Sequence, residues 1–221
     1  MEKTVLITGA NRGIGLSLTQ RYRNSGYAVI ALCRQTSPAL EATGAEIIDN
    51  FDVTDDAAHA QLGSQLGDTP IDLLINNAGI LQNEVLGHID YQSIQQQFDV
   101  NTLGPLKITE ALLPRLREGA KIAMITSRMG SIADNGSGGR YGYRMSKAAL
   151  NIASVSLAHD LRSRGIAVAI IHPGLVGTEM IGGHGDVTPD QAAERIAARI
   201  DALTLVNSGS FWHANGELLP W

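Results

Sequence analysis

Apolar residues along the chain gather in short β-branched runs, separated by longer stretches where they recur every three to four positions. The first run, Val5-Leu6-Ile7, passes into a helical period over about 13–25. The same alternation predicts strands near 27–33, 45–51, 70–76, 120–126 and 166–172. Helices are expected near 55–66, 90–117, 141–164 and 189–202. Strands joined by crossover helices run parallel and wind right-handedly, so the expected fold is α/β, a doubly wound parallel sheet with helices on both faces. A ligand crevice then opens at the carboxyl edge of the sheet, where strand order reverses.

Three polar or glycine-rich stretches break the rhythm: Asn11-Arg12-Gly13, Asp134 to Arg140, and Ile181 to Asp186. All follow expected strands at the ligand edge. No composition shift, repeat or low-complexity block marks a second domain, so residues 1–221 read as one domain.

Composition narrows the picture mainly by exclusion. Against 17 basic residues stand 22 acidic ones, a net charge of −5, with no Lys/Arg run to meet a phosphate backbone; nucleic acid is not an expected partner. No apolar run approaches the roughly 20 residues that cross a bilayer, and Met1-Glu2-Lys3 leads into no signal-peptide core, so a cytoplasmic protein without a membrane partner is expected. The lone Cys33 sits in a strand pattern and reads as a small buried hydrophobe. Six histidines show no ligand spacing, so no metal is expected, and the absence of a Gly-x-Ser-x-Gly elbow argues against a hydrolase.

Two local patterns carry chemistry. Thr8-Gly9-Ala10-Asn11-Arg12-Gly13-Ile14-Gly15 ends the first strand and opens the first helix. Glycines there permit a tight turn and close backbone approach to a pyrophosphate, which the unpaired amides of a helix start attract. After the second strand, where NAD sites place an acidic residue, the chain reads Cys33-Arg34-Gln35, with no acid before Glu41. A guanidinium there grips a 2′-phosphate, and Arg12 adds a second cation, so NADP(H) is expected over NAD(H). The other pattern is Tyr143-Arg144-Met145-Ser146-Lys147, with phenol and ammonium four apart on one helix face. A phenol of pKa about 10 is a poor base at neutral pH, and a neighbouring ammonium would favour the phenolate; Lys147 is read as the tuner of Tyr143.

Together with Asn76-Asn77-Ala78-Gly79, Asn101, Ser127 and Pro173-Gly174, these segments resemble the short-chain dehydrogenase/reductase family over nearly the whole chain. The size, Asn11 to Leu16 and the ending Leu218-Leu219-Pro220-Trp221 are most similar to its C-factor and sniffer-like carbonyl reductases. The resemblance implies a Rossmann fold and reversible reduction of a small ketone or aldehyde to its alcohol. Ser127 and Tyr143 would bind the substrate oxygen, with Tyr143 giving the proton; Lys147 would also bond the nicotinamide ribose, and Asn101 would position a relay water. Asp52 would contact adenine, though it also suits a cap beside Thr54 or Asp55. Asn77, Ala78 and Gly79 would pack on the cofactor. Pro173, Gly174, Val176 and Thr178 would close over the nicotinamide, Thr178 binding its carboxamide. Ser131 is a rival to Ser127, and Tyr141 a weaker rival to Tyr143, having no lysine four residues on. The short glycine-rich segment Glu179 to Thr188 predicts an open, permissive cleft. The helices at 90–117 and 141–164 resemble those that pair relatives into homodimers or homotetramers. The C-factor likeness also keeps open a nucleotide-binding signalling protein with little catalysis.

Overall fold

Alternation inside each apolar run decides which face of the sheet a side chain enters, and the computed structural model, which describes residues 2–221, shows both faces filled. Met1, part of the N-terminal reading, lies outside the described residues. The strands are β1 (Thr4–Thr8), β2 (Ala28–Leu32), β3 (Glu46–Ile48), β4 (Ile71–Asn76), β5 (Leu116–Ile125), β6 (Ala167–His172) and β7 (Phe211–His213). They form one parallel sheet in the order β3-β2-β1-β4-β5-β6-β7, with the winding direction reversing between β1 and β4. Val5, Ile7, Val29, Ala31, Leu73 and Ile75 enter one core; Leu6, Ile30, Leu32 and Leu74, the intervening residues, enter the other.

Helices α1 (Gly13–Asn24), α2 (Pro38–Glu41) and α7 (Pro189–Asp201) cover the first face. Helices α3 (Asp56–Leu66), α5 (Gly104–Leu112) and α6 (Tyr141–Asp160) cover the second through Leu62, Ile108, Leu112 and Leu150. A fully buried Leu or Ile contributes about 2 kcal/mol, so these layers dominate the stabilising side of folding. The doubly wound α/β fold is therefore as the apolar pattern predicts.

Three details differ from that pattern. The helix expected over 90–117 is α4 (Tyr91–Phe98), a π turn (Asp99–Leu103) and α5, and it stops at Leu112. Pro114 has no amide to continue it, and from Leu116 the chain is already strand, paired with Ile71. β7 was not expected: three residues are too few to show a period. Phe211, buried in the strand and stacked on Trp221 at 5.3 Å, anchors it beside β6. The short α2, capped by the Ser37 hydroxyl, is also new. Among the described residues, no helix is long and apolar enough to cross a membrane.

Candidate active site

At the carboxyl end of β1 the backbone does most of the shaping. Gly9 has φ +64°, and a Cβ there would stand 3.0 Å from the Ala78 Cα. A Cβ on Gly15 would lie 2.1 Å from the Gly9 carbonyl oxygen, so only glycine fits. The Thr8 hydroxyl accepts from the amides of Asn77 and Ala78, both at 3.0 Å, while the Asn77 side-chain amide donates to the carbonyls of Thr8 and Gly9. Asn77, Ala78 and Gly79 thus form the wall opposite the glycine turn. Asn11 ties that turn to the loop after β2: its amide donates to the Gln35 carbonyl, and the Ser37 hydroxyl donates to its own carbonyl. Ile14 packs against the core beneath.

Helices α2, α3, α4 and α7 each have a capping side chain, whereas α1 has none. Its first-turn amides and the positive end of its dipole meet the cleft. Arg34 is exposed and has no carboxylate partner among the described residues, whereas Arg12 is paired with Glu179. Arg34 stands close enough to Asp52 to act on it. Burial works to raise the Asp52 pKa, but hydrogen bonds from the Thr54 amide and hydroxyl, the charge of Arg34 and that of His59 together hold it below the usual range. The cap of α3 is Asp55; Asp52 closes the preceding turn.

On the other side of the β1/β4 reversal the site is made of buried side chains. Tyr143 and Lys147 occupy adjacent turns of α6 on its sheet-facing side, 8% and 4% exposed, with Lys147 Nζ 5.8 Å from the Tyr143 ring centre. Lys147 Nζ donates to the Ile125 carbonyl at 3.0 Å, and burial lowers its pKa to about 8. The ammonium read as the tuner of Tyr143 is thus directed at a main-chain carbonyl, 5.8 Å from the phenol ring. Burial raises the phenol's pKa, and the opposing influences are the Ser127 side chain and the charge of Arg140. Burial wins because water is excluded from the phenol while the ammonium is directed at a main-chain carbonyl.

Ser127 lies two residues past β5 and is buried, its oxygen accepting from the Met129 amide and capping the 3-10 turn Arg128–Gly130. Ser131 is spent on its own loop, accepting from the Asp134 amide, and Tyr141 is the first, half-buried residue of α6. Asn101 lies fully buried in the π turn. Its side chain accepts from the Ile80 amide and donates to the Ile80 carbonyl and the Ser146 hydroxyl, clamping the segment after Gly79 against α6.

The segment after β6 folds back on itself through a Val176–Val187 bridge and reaches across the cleft. Pro173 leads into Gly174, whose φ is +95°. Val176 is buried, and the Thr178 methyl would stand 3.3 Å from a Cβ on Gly13. Only one 3-10 turn, Glu179–Ile181, lies beyond it before α7. Behind this segment His172 and His213 meet edge to face at 4.9 Å; burial lowers both pKa values, that of His172 to about 3. No cluster of three His, Cys, Asp or Glu among the described residues is placed to hold a metal.

Residues 3–189 match the short chain dehydrogenase family. The chain belongs to the short-chain dehydrogenases. It is 40% identical, over 99% of both chains, to 1-hydroxy-2-glutathionyl-2-methyl-3-butene dehydrogenase of Rhodococcus sp. (strain AD45). It is 44% identical to C-signal of Myxococcus xanthus over 69% of this chain and 93% of that one. Among solved structures, the NADPH-bound carbonyl reductase from chicken fatty liver superposes with a TM-score of 0.89 at 31% identity, over 100% of this chain and 99% of that one. The C-factor and carbonyl reductase likeness read from the size, the Leu218 to Trp221 ending and the glycine turn holds.

A dinucleotide suits this short-chain dehydrogenase on its own geometry. The glycine cradle would be blocked by a Cβ, and the first turn of α1 is left uncapped above it. Two neighbours of the site were not foreseen. Glu84, 3% exposed, accepts from the Gln97 amide, the Ser93 hydroxyl and the Gly142 amide at the start of α6. Arg140 precedes α6 in the left-handed region, φ +50°. A buried acid 58 positions from its amide partner leaves no trace in local spacing; a lone Arg after Gly138-Gly139 could have been marked as an odd start for a helix.

Proposed function

We propose that residues 1–221 form one dinucleotide-binding domain that reduces a small ketone or aldehyde with NADPH, reversibly. The observation that carries this reading is the buried Tyr143–Lys147 pair on α6, beside Ser127 and across from the uncapped start of α1. A bound NADPH supplies the hydride. Ser127 and Tyr143 hold the carbonyl oxygen, and Tyr143 donates the proton; its raised pKa keeps that proton in place until charge develops on the substrate. Lys147, its own pKa near 8, is suited to return a proton to Tyr143 and to bond the nicotinamide ribose. Asn101 holds the relay from the side; with its amide engaged by Ile80 and Ser146, a relay water would rest on its main chain.

The glycine turn, Gly9 to Gly15, takes the pyrophosphate, and Arg34 the 2′-phosphate. Asp52 and the wall Asn77-Ala78-Gly79 take the adenosine and nicotinamide halves. Pro173, Gly174, Val176 and Thr178 cover the nicotinamide. Preference for NADP(H) over NAD(H) rests on Arg34, since Arg12 already faces Glu179. The single 3-10 turn beyond Thr178 supports a permissive cleft. Apolar residues exposed on α4 and α6, namely Tyr91, Met145 and Ile152, support pairing into a homodimer or homotetramer in the cytoplasm. The likeness to C-signal supports a second reading, nucleotide-dependent signalling. Turnover decides between them: NADPH consumption with an aromatic aldehyde should fall by about a thousandfold in Tyr143→Phe. Native protein that consumes none, yet binds NADPH, would favour signalling.

A further inference from the structure

A cavity of about 450 Å³ opens on the surface, lined by Arg128, Met129, Asp134, Ser137, Arg140 and Arg144, among them the sequence neighbours of Ser127 and Tyr143. In a chain of net charge −5, three guanidinium groups around one carboxylate make a local excess of positive charge. Arg128 is neutralised by Asp134 at 2.6 Å. The other two have only neutral partners. Arg140 Nε donates to the Asn83 side-chain oxygen at 2.9 Å. Arg144 donates to the Ser137 hydroxyl and to the carbonyls of Gly138 and Gly139. Neutral acceptors orient a guanidinium without cancelling its charge, so the cavity wall keeps two uncompensated, pre-positioned cations.

Both are close neighbours of Tyr143 along the chain. Arg144 follows Tyr143 in sequence, and Arg140 stands three residues before it, close enough for its charge to lower the pKa of the buried phenol. Arg140 is held in the left-handed region, as are Gly138 and Gly139 before it. A side chain with a Cβ costs free energy there, and such outliers gather at functional sites.

We propose that the carbonyl substrate carries a carboxylate, bound by Arg140 and Arg144 at the mouth of the cleft. This rests on the carbonyl reductase reading above and adds the substrate class. The planar forks of two guanidinium groups suit the two oxygens of a carboxylate, and the one acid in the same wall, Asp134, is already paired with Arg128. The acid anchors one end of the substrate, which leaves its carbonyl to Ser127 and Tyr143.

The test compares para-carboxybenzaldehyde, its methyl ester and unsubstituted benzaldehyde as substrates with NADPH. For the native protein, kcat/KM for the acid should exceed that for the ester by about tenfold or more, as charge-assisted bonds allow. The advantage should shrink as salt rises. In Arg140→Asn, which tolerates the left-handed backbone, and in Arg144→Gln, the acid-to-ester ratio should fall toward one. Acid and ester reduced alike by the native protein, or a ratio preserved in both variants, would overturn the proposal and leave the reductase reading standing. If none of the three aldehydes consumes NADPH, the reductase reading falls, and this proposal with it.

Discussion

The two sides of the β1/β4 reversal are built from different materials. On the β1–β3 side the cleft is shaped by main chain: glycines that exclude a Cβ, amides left open at α1, and Asn11 bonding to a carbonyl. On the β4–β6 side it is shaped by buried functional groups, Tyr143, Lys147, Ser127 and Asn101, held by helix packing. The first side fails when atoms are added, and the second when a polar group is removed or its charge is changed. That contrast suits a division of labour between holding a common cofactor and performing acid–base chemistry.

The sharpest way to break it is to add one methyl group. Gly15→Ala would push a Cβ into the Gly9 carbonyl, so a loss of about 3 kcal/mol or more of stability is expected, together with loss of NADPH binding. Urea unfolding and nucleotide titration check both; a stable Gly15→Ala that still binds would refute the backbone half of the contrast.

On the side-chain half, Lys147 gives a pH signature. Its folded pKa, about 8, lies below the ordinary 10.5, so the unfolded chain holds more proton between those values and stability rises with pH through that window. The expected gain is about 3 kcal/mol, and Lys147→Met should abolish it. An identical rise in the variant would show that Lys147 is not the group being desolvated.

Glu84 should give the smallest effect. Glu84→Gln keeps the shape but turns a donor toward the Ser93, Gln97 or Gly142 donors, at a cost of about 1 to 2 kcal/mol. Because the carboxylate caps the helix that carries Tyr143, turnover should fall with stability. Unchanged unfolding midpoints would show that the cap is not needed.

How much of this was legible beforehand follows from range. The glycine turn and the Tyr143–Lys147 spacing are local, governed by backbone sterics and the helical repeat, and both stand where the apolar pattern puts them. Six of the seven strands were legible for the same reason. The π turn at Asp99–Leu103 was not, since a one-residue widening of a helix hardly disturbs an apolar period. Neither were the long-range pairs, Arg12 with Glu179 and Glu84 with Gly142, which only the folded sheet brings together. The Ile125 partner of Lys147 was not legible either, because spacing reports that Lys147 shares a face with Tyr143, not where its ammonium points.

The central claim is that this cleft is an NADP site whose selectivity lies in one exposed guanidinium. Fluorescence titration of NADPH and NADH into the native protein and Arg34→Ala tests it most directly. The account predicts preferential binding of NADPH by the native protein, and a loss of roughly tenfold or more in Arg34→Ala with NADH little affected. Equal binding of the two nucleotides by the native protein, or a preference untouched by the substitution, would contradict it.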